Sequence, residues 1–168
     1  MSRRASGPSR RGVAVRVEHP AAAGEPAWLA GDAGRIGQAM LNLAHNAVKY
    51  SNPGGEVRLG WEERANRLRL FVADDGIGIA RAHQGRIFER FYKVDRARTA
   101  ERPDDPAHPI GGSAGLGLAI VRHIAEAHHG SVGFVSAEGV GSTFWIELPR
   151  AQDGAPTSVQ PDGGGTST

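Results

Sequence analysis

Asn42 and Asn46 stand i, i+4, with Gln38 four residues earlier and Lys49 three residues later. On a helix this spacing lines one face. Amide oxygens beside an ammonium suit Mg²⁺, a hard cation that takes a few protein oxygens and shares the rest with substrate phosphates. The plain alternative is a solvated helix face, but Asn disfavours helix interiors, and two at this spacing weaken that reading. Asp74 closes an apolar run and is followed by Gly76 and Gly78. A carboxylate there can accept a hydrogen bond from an exocyclic amine such as adenine N6, and glycines let a flat base come close. Alone, the segment reads as an Asp-Gly turn, which is very common. Gly115-Leu116-Gly117-Leu118 opens a helix, where backbone N–H groups attract phosphate. It is neither a dinucleotide fingerprint nor a P-loop: the third glycine is missing and no Gly-Lys-Ser/Thr occurs. Taken alone, it is equally a helix start with glycines used for packing.

These groups need elements to hold them. Val13–Val17 alternates like a strand, and Ala27–Ala30 is a second short apolar run. Asp32 is a good N-cap for a helix running to about Tyr50, with Ile36, Met40, Leu43 and Ala47 toward the core. Asn52-Pro53-Gly54-Gly55 breaks the chain. Glu56–Glu63 and Leu68–Ala73 read as paired strands, and residues 80–93 read as helix. Asp95–Ser113 has no period, which in a domain this size marks either disorder or a functional lid. Leu116–His128 is a second clear helix with Gly130 as its stop, and Ser131–Ser136 and Thr143–Leu148 are the last strands. The order places helices on one face of a mixed sheet.

The chain has 168 residues, a one-domain length, with 39% hydrophobic residues, 24 glycines and 10 prolines. Much of that bias lies in residues 1–12 and 151–168, which read as a disordered basic arm and a disordered tail around a folded part at 13–150. A net charge of +2 excludes a strong field for nucleic acid, and no aromatic side chain interleaves the N-terminal arginines. With no cysteine there are no disulfides or thiolate sites. No run is long and apolar enough to span a bilayer, so the chain reads as cytoplasmic, without membrane contact of its own.

Taken together, the motifs resemble those of the catalytic, ATP-binding domain of bacterial sensor histidine kinases, in the GHKL superfamily with the Bergerat ATP fold. The N box is similar to Asn42–Tyr50, the G1 box to Asp74–Gly78, the F box to Ile87–Asp95 and the G2 box to Gly115–Leu118. The Gly139–Phe144 turn matches the last glycine-Ser/Thr turn of that domain. The resemblance implies an α+β fold: a two-layer sandwich of about five strands, mostly antiparallel, with about three helices on one face and a long ATP lid near residues 95–114. It implies ATP and Mg²⁺ as cofactors, with Asn46 on the metal, Lys49 on phosphate and Tyr50 beside the nucleotide. It further implies Asp74 on adenine N6, with Gly76, Gly78, Ile79, Gly115, Leu116, Gly117, Leu118 and Thr143 lining the site. Lys93 corresponds to a basic residue that reaches the γ-phosphate. One departure is Ala114, where the family carries glycine or a hydroxyl, so Ser113 receives no phosphate contact.

Position 42 separates kinase from hydrolase within the resemblance. Superfamily ATPases place a water-activating glutamate four residues before the metal-binding Asn, and anti-sigma-type kinases tend to keep an acid there. Asn42 cannot act as a carboxylate base, which favours phosphoryl transfer to a histidine. Asn42 and Lys93 are the two residues this assigns to catalysis. None of the seven histidines lies in an H box, and His123 and His128, i, i+5 on one helix, read as exposed. The implied partners are therefore a histidine-containing dimerisation domain outside this chain and then a response-regulator receiver domain. The alternative is an ATP-binding regulatory module that transfers no phosphate to histidine.

Overall fold

A computed structural model describes residues 12–18, 28–94 and 115–151. Most of the expected arm, lid and tail, including Ser113 and Ala114, lies outside the described residues.

The first long helix, α1 (Ala33–Tyr50), begins where Asp32 Oδ1 accepts a hydrogen bond from the Arg35 N–H at 3.0 Å. This cap satisfies one of the N–H groups that the first turn of a helix leaves without a partner. The buried residues Ala39, Leu43 and Ala47 repeat at i, i+4, and Ile36 and Met40 pack at the margin of the core. At the other end the Ser51 hydroxyl donates to the Ala47 carbonyl at 2.6 Å and closes the last turn.

Five strands follow the period-2 patterns: β1 (Ala14–Glu18), β2 (Glu56–Arg64), β3 (Arg67–Asp74), β4 (Ser131–Ala137) and β5 (Gly141–Pro149). They form one sheet in the order β1-β2-β3-β5-β4, with β1 parallel to β2 and every other pair antiparallel. Register puts Leu68, Leu70 and Val72 beside Leu148, Ile146 and Phe144, and this apolar face receives α1 and the later helix α3 (Gly117–Ala127). Arg69 and Phe71 pair with Glu147 and Trp145 on the opposite face, where the Arg69 guanidinium stacks 4.5 Å from the Trp145 ring. The architecture is the α+β arrangement read from the sequence.

Of the apolar run Ala27–Ala30, residues 28–30 are described, and Leu29 there makes a single bridge to Arg150. Three local readings are corrected. Residues 80–93 are not one helix: α2 spans only Arg81–Gln84, and the chain then descends in three-residue turns to Phe91, whose φ is 65°. Gly130 does not carry the left-handed stop of α3; His129 does, with φ 56°, while the Gly130 N–H closes on the Ala125 carbonyl at 2.8 Å. His128 is not a plain exposed side chain either. Its Nε2 accepts from the Asp32 N–H at 3.0 Å and its Nδ1 meets the Ile124 carbonyl at 2.7 Å, stitching the end of α3 to the start of α1.

Candidate functional site

The site forms where α1 ends, at the end of the sheet where β3 stops and β5 begins. Asp74 is the last residue of β3, paired with Val57 on β2 and Ser142 on β5. Its Oδ1 accepts the Gly76 N–H at 2.9 Å. Partial burial raises the carboxyl above its ordinary pKa range; hydrogen bonds from the Gly76 and Ser142 backbones pull it back down, and the neighbouring Asp75 raises it. A half-buried carboxylate held by backbone donors is a fixed acceptor, the property that reading an amine requires.

The loop after Asp74 is bound on several sides. Its Ile77 N–H donates to the Tyr50 carbonyl at 3.2 Å, which joins it to the C-terminus of α1. The Ile79 N–H donates to Ser136 Oγ at 2.9 Å. That hydroxyl donates to the Gly141 carbonyl at 3.1 Å and meets Ser142 Oγ at 2.9 Å. Gln84 Nε2 donates to the Ile79 and Ser136 carbonyls at 2.9 and 3.1 Å. On the other flank, Asp75 Oδ1 accepts the Glu56 N–H and the Asp75 carbonyl accepts Asn52 Nδ2, both at 3.1 Å. Gly78 has φ 63°, and a Cβ there would overlap the Ala137 carbonyl, so both conformation and space require glycine.

The second half lies across α1. A Cβ on Gly117 would come 3.8 Å from Asn46 Nδ2, so Asn46 faces the first residue of α3. One turn earlier, the side-chain nitrogen of Asn42 is buried with no partner among the described residues. Leaving such a donor unsatisfied costs about 1–3 kcal/mol. Lys49 Nζ sits 5.4 Å from the centre of the Tyr50 ring, and burial raises the Tyr50 phenol above its ordinary pKa. Gly115 has φ 69° and accepts the Phe91 N–H at 3.0 Å. A Cβ on Gly115 would lie 2.9 Å from the Tyr92 carbonyl, so this glycine serves a close backbone crossing. Lys93, the next residue after Tyr92, is exposed beside that crossing.

Asn42, Asn46, Lys49 and Tyr50 lie on the C-terminal half of α1, and Gly76 and Ile77 bring the Asp74 loop to its end, while Gly78 and Ile79 are set against Ala137 and Ser136. Gly115, Leu116, Gly117 and Leu118 close on α1 from the start of α3. Thr143 does not join them. It pairs with Ala73 and Val135 and lines a shallow cleft of about 300 Å³ on the opposite sheet face, with Glu62, Arg69, Phe71 and Trp145. Ser142 is the residue of that turn that faces Asp74. Ser136 and Gln84 went unrecognised in the sequence: the bonds from the Ile79 N–H to Ser136 Oγ and from Gln84 Nε2 to the Ser136 carbonyl span 57 and 52 residues, which no local spacing announces.

An amide oxygen at Asn46 is a hard ligand, and no group of three or more His, Cys, Asp or Glu side chains assembles a protein-only metal cage among the described residues. The donor set fits Mg²⁺ held jointly with phosphates. Among the described residues no helix is long and apolar enough to cross a membrane.

Residues 31–152 match the family described as histidine kinase-, DNA gyrase B-, and HSP90-like ATPase. The sensor-like histidine kinase SenX3 of Mycolicibacterium smegmatis is 42% identical over 123 residues, covering 73% of this chain and 30% of that protein. The sensor protein SrrB of Staphylococcus aureus is 39% identical over 121 residues, covering 72% of this chain and 19% of that protein. The chain therefore spans less than a third of the length of these curated relatives. Among solved structures, full-length ShkA in complex with AMPPNP superposes with a TM-score of 0.69 at 34% identity, covering 86% of this chain and 27% of that one. The mycobacterial sensor histidine kinase MprB superposes with a TM-score of 0.64 at 28% identity, covering 84% and 85%.

Proposed function

This chain belongs to the histidine kinase-, DNA gyrase B-, and HSP90-like ATPase family, and we propose that it is the ATP-binding catalytic domain of a two-component sensor histidine kinase. The observation that carries this reading is the way α1 joins two half-sites. Its Tyr50 carbonyl holds the Asp74 loop, and its Asn46 faces Gly117 at the start of α3. A nucleotide laid along that helix end would meet a fixed acceptor at its base and helix-terminal N–H groups at its phosphates. Similarity to sensor kinases, and to ShkA in its complex with AMPPNP, supports the same reading.

In this account Asp74 accepts the adenine N6 hydrogen, and Tyr50 and Ile79 pack beside the base. Asn46 would hold Mg²⁺, with Lys49 and the Gly115–Leu118 turn on the phosphates and Lys93 on the γ-phosphate. Mg²⁺, when bound, neutralises charge on the transferring phosphates. The acceptor is a histidine on a separate dimerisation domain. A neutral imidazole nitrogen bonds to the γ-phosphorus and the bond to the β,γ-bridging oxygen breaks. ADP leaves with that electron pair, and the ring's displaced proton passes to solvent or to a base of the acceptor domain. The phosphoryl group then passes to a receiver domain. Asn42 supplies no carboxylate to activate water, so transfer by positioning is favoured over hydrolysis. ATP as donor implies a cytoplasmic setting.

Mixing the chain with a cognate dimerisation domain and γ-labelled ATP tests the proposal. A labelled histidine and very slow ATP hydrolysis by the chain alone are expected. Rapid multiple-turnover hydrolysis by the chain, or an unlabelled acceptor despite ATP binding, overturns it.

A further inference from the structure

We infer that His83 is a positioning residue for the γ-phosphate: through the Tyr92 hydroxyl it sets where Lys93 stands against the Gly115–Leu118 turn. The inference rests on the functional reading above and adds a residue which that reading leaves without a role.

Between Ala80 and Tyr92 the backbone makes four successive i, i+3 hydrogen bonds. His83 donates to Ala80, Arg86 to His83, Glu89 to Arg86 and Tyr92 to Glu89, at 2.9, 3.0, 2.9 and 3.3 Å. Turns of three bring every third side chain to the same edge. That edge carries His83, Arg86, Glu89 and Tyr92, and they bond to one another. His83 Nδ1 and the Tyr92 hydroxyl are 2.7 Å apart. The Arg86 guanidinium lies 4.4 Å from the Tyr92 ring centre, and its Nε donates to Glu89 Oε2 at 3.1 Å. Ile87, buried, anchors the middle of the segment to the core. At its far end Phe91 is 66% exposed, and among the described residues it is the polar contacts to Tyr92 that hold this end.

What the stack fixes is the crossing next to the phosphate turn. Phe91 is held left-handed at φ 65°, an uncommon conformation for a bulky residue that persists only where neighbours impose it. Its N–H donates to the Gly115 carbonyl at 3.0 Å, and a Cβ on Gly115 would lie 2.9 Å from the Tyr92 carbonyl. A continuous path therefore runs from His83 through Tyr92 to Gly115, and two residues on to Gly117, which faces Asn46. Lys93 leaves directly from Tyr92, so the hydroxyl's tether sets where its backbone starts. A phenol donating to a neutral imidazole leaves Nδ1 as acceptor and the proton on Nε2.

The test is calorimetric titration of the full chain with Mg·ATP and Mg·ADP, reading the ratio of the two affinities. Lys93→Ala is the control for the underlying reading and should lower the preference for ATP about tenfold. Tyr92→Phe keeps the ring and its stacking, and His83→Ala removes the partner. Each should lower the preference by about threefold to fivefold at unchanged ADP affinity, the double variant no further than either single one. His83→Asn, whose amide reaches the Nδ1 position, should restore most of it. The ¹⁵N shifts of the His83 ring should report the Nε2–H tautomer in the native chain and lose that signature in Tyr92→Phe. If Lys93→Ala lowers the ratio while Tyr92→Phe and His83→Ala do not, the positioning role is overturned and the functional reading stands. Parallel losses of ADP and ATP affinity that follow thermal destabilisation overturn it as well. If Lys93→Ala leaves the ratio unchanged, the assignment of Lys93 fails and this inference falls with it.

Discussion

The two halves of the candidate site are built by different means. The Asp74 loop is tied by strand register, by the Ser136–Ser142 pair, by Gln84 and by Asp75, so it is held from both flanks. Among the described residues the phosphate side is tied by the backbone bond from Phe91 to Gly115 and by the His83–Tyr92 contact. A base is recognised by shape and fixed partners, which favours a rigid frame; a phosphate chain that must be delivered to an acceptor favours a segment able to open and close. Substitutions in the frame that holds the Asp74 loop, Asp74 itself excepted, should therefore change stability and affinity together, whereas those on the phosphate side should change affinity with little loss of stability.

The largest effect is expected from Gly78→Ala. A Cβ there meets the Ala137 carbonyl at a backbone φ of 63°, and a left-handed alanine with overpacking should cost about 2–4 kcal/mol in urea unfolding. Nucleotide binding should be lost with it.

Asp74→Asn should divide the two properties instead. Losing a charged acceptor should weaken ATP binding about tenfold to a hundredfold by titration calorimetry. Stability should move the other way. Burial raises this carboxyl above its ordinary 3.8, so between that value and its folded value the native state holds more protons than the unfolded chain. Stability from the uncharged carboxyl is complete below the window and is lost as pH climbs through it. The asparagine variant should match the native chain in urea midpoint at low pH and exceed it at neutral pH. An equal difference at both pH values would contradict the burial argument.

Ser136→Ala comes next. It removes a hydroxyl that accepts from Ile79 and donates to Gly141, and should cost about 1–2 kcal/mol, with a smaller loss of ATP affinity. The smallest effect on stability is expected from Gly117→Ala. The added Cβ has room, 3.8 Å from Asn46 Nδ2, so the apo chain should gain about 0.5 kcal/mol. Affinity for ATP should nevertheless fall, because the methyl group would stand between α3 and the phosphates. A stabilised chain with unchanged affinity would remove Gly117 from the site.

Much of this was readable in advance where neighbours in sequence are also neighbours in space. The cap at Asp32, the i, i+4 repeat of Leu43 and Ala47, and the pairing of β2 with β3 all follow from local chemistry. The segment 80–93 misled because Ile87, Phe88 and Phe91 fall at helical spacing, while the chain instead turns every three residues and reverses at Phe91. Thr143 misled for a different reason. Which of two adjacent hydroxyls faces the helices depends on strand register, and a shift of one residue exchanges Ser142 for Thr143. His128 was hidden because its partner is the backbone N–H of Asp32, 96 residues away.

The proposed function turns on Asp74 accepting from the adenine amine. Its most direct test is a titration of the chain with ATP and with inosine triphosphate, whose base carries an oxygen in place of the N6 amine and a proton on N1. A carboxylate facing that oxygen meets an acceptor where it needs a donor, so ATP should bind tighter by about a hundredfold or more. Asp74→Asn, whose amide can donate to that oxygen, should erase most of the difference. Equal affinities for the two nucleotides in the native chain would contradict the account.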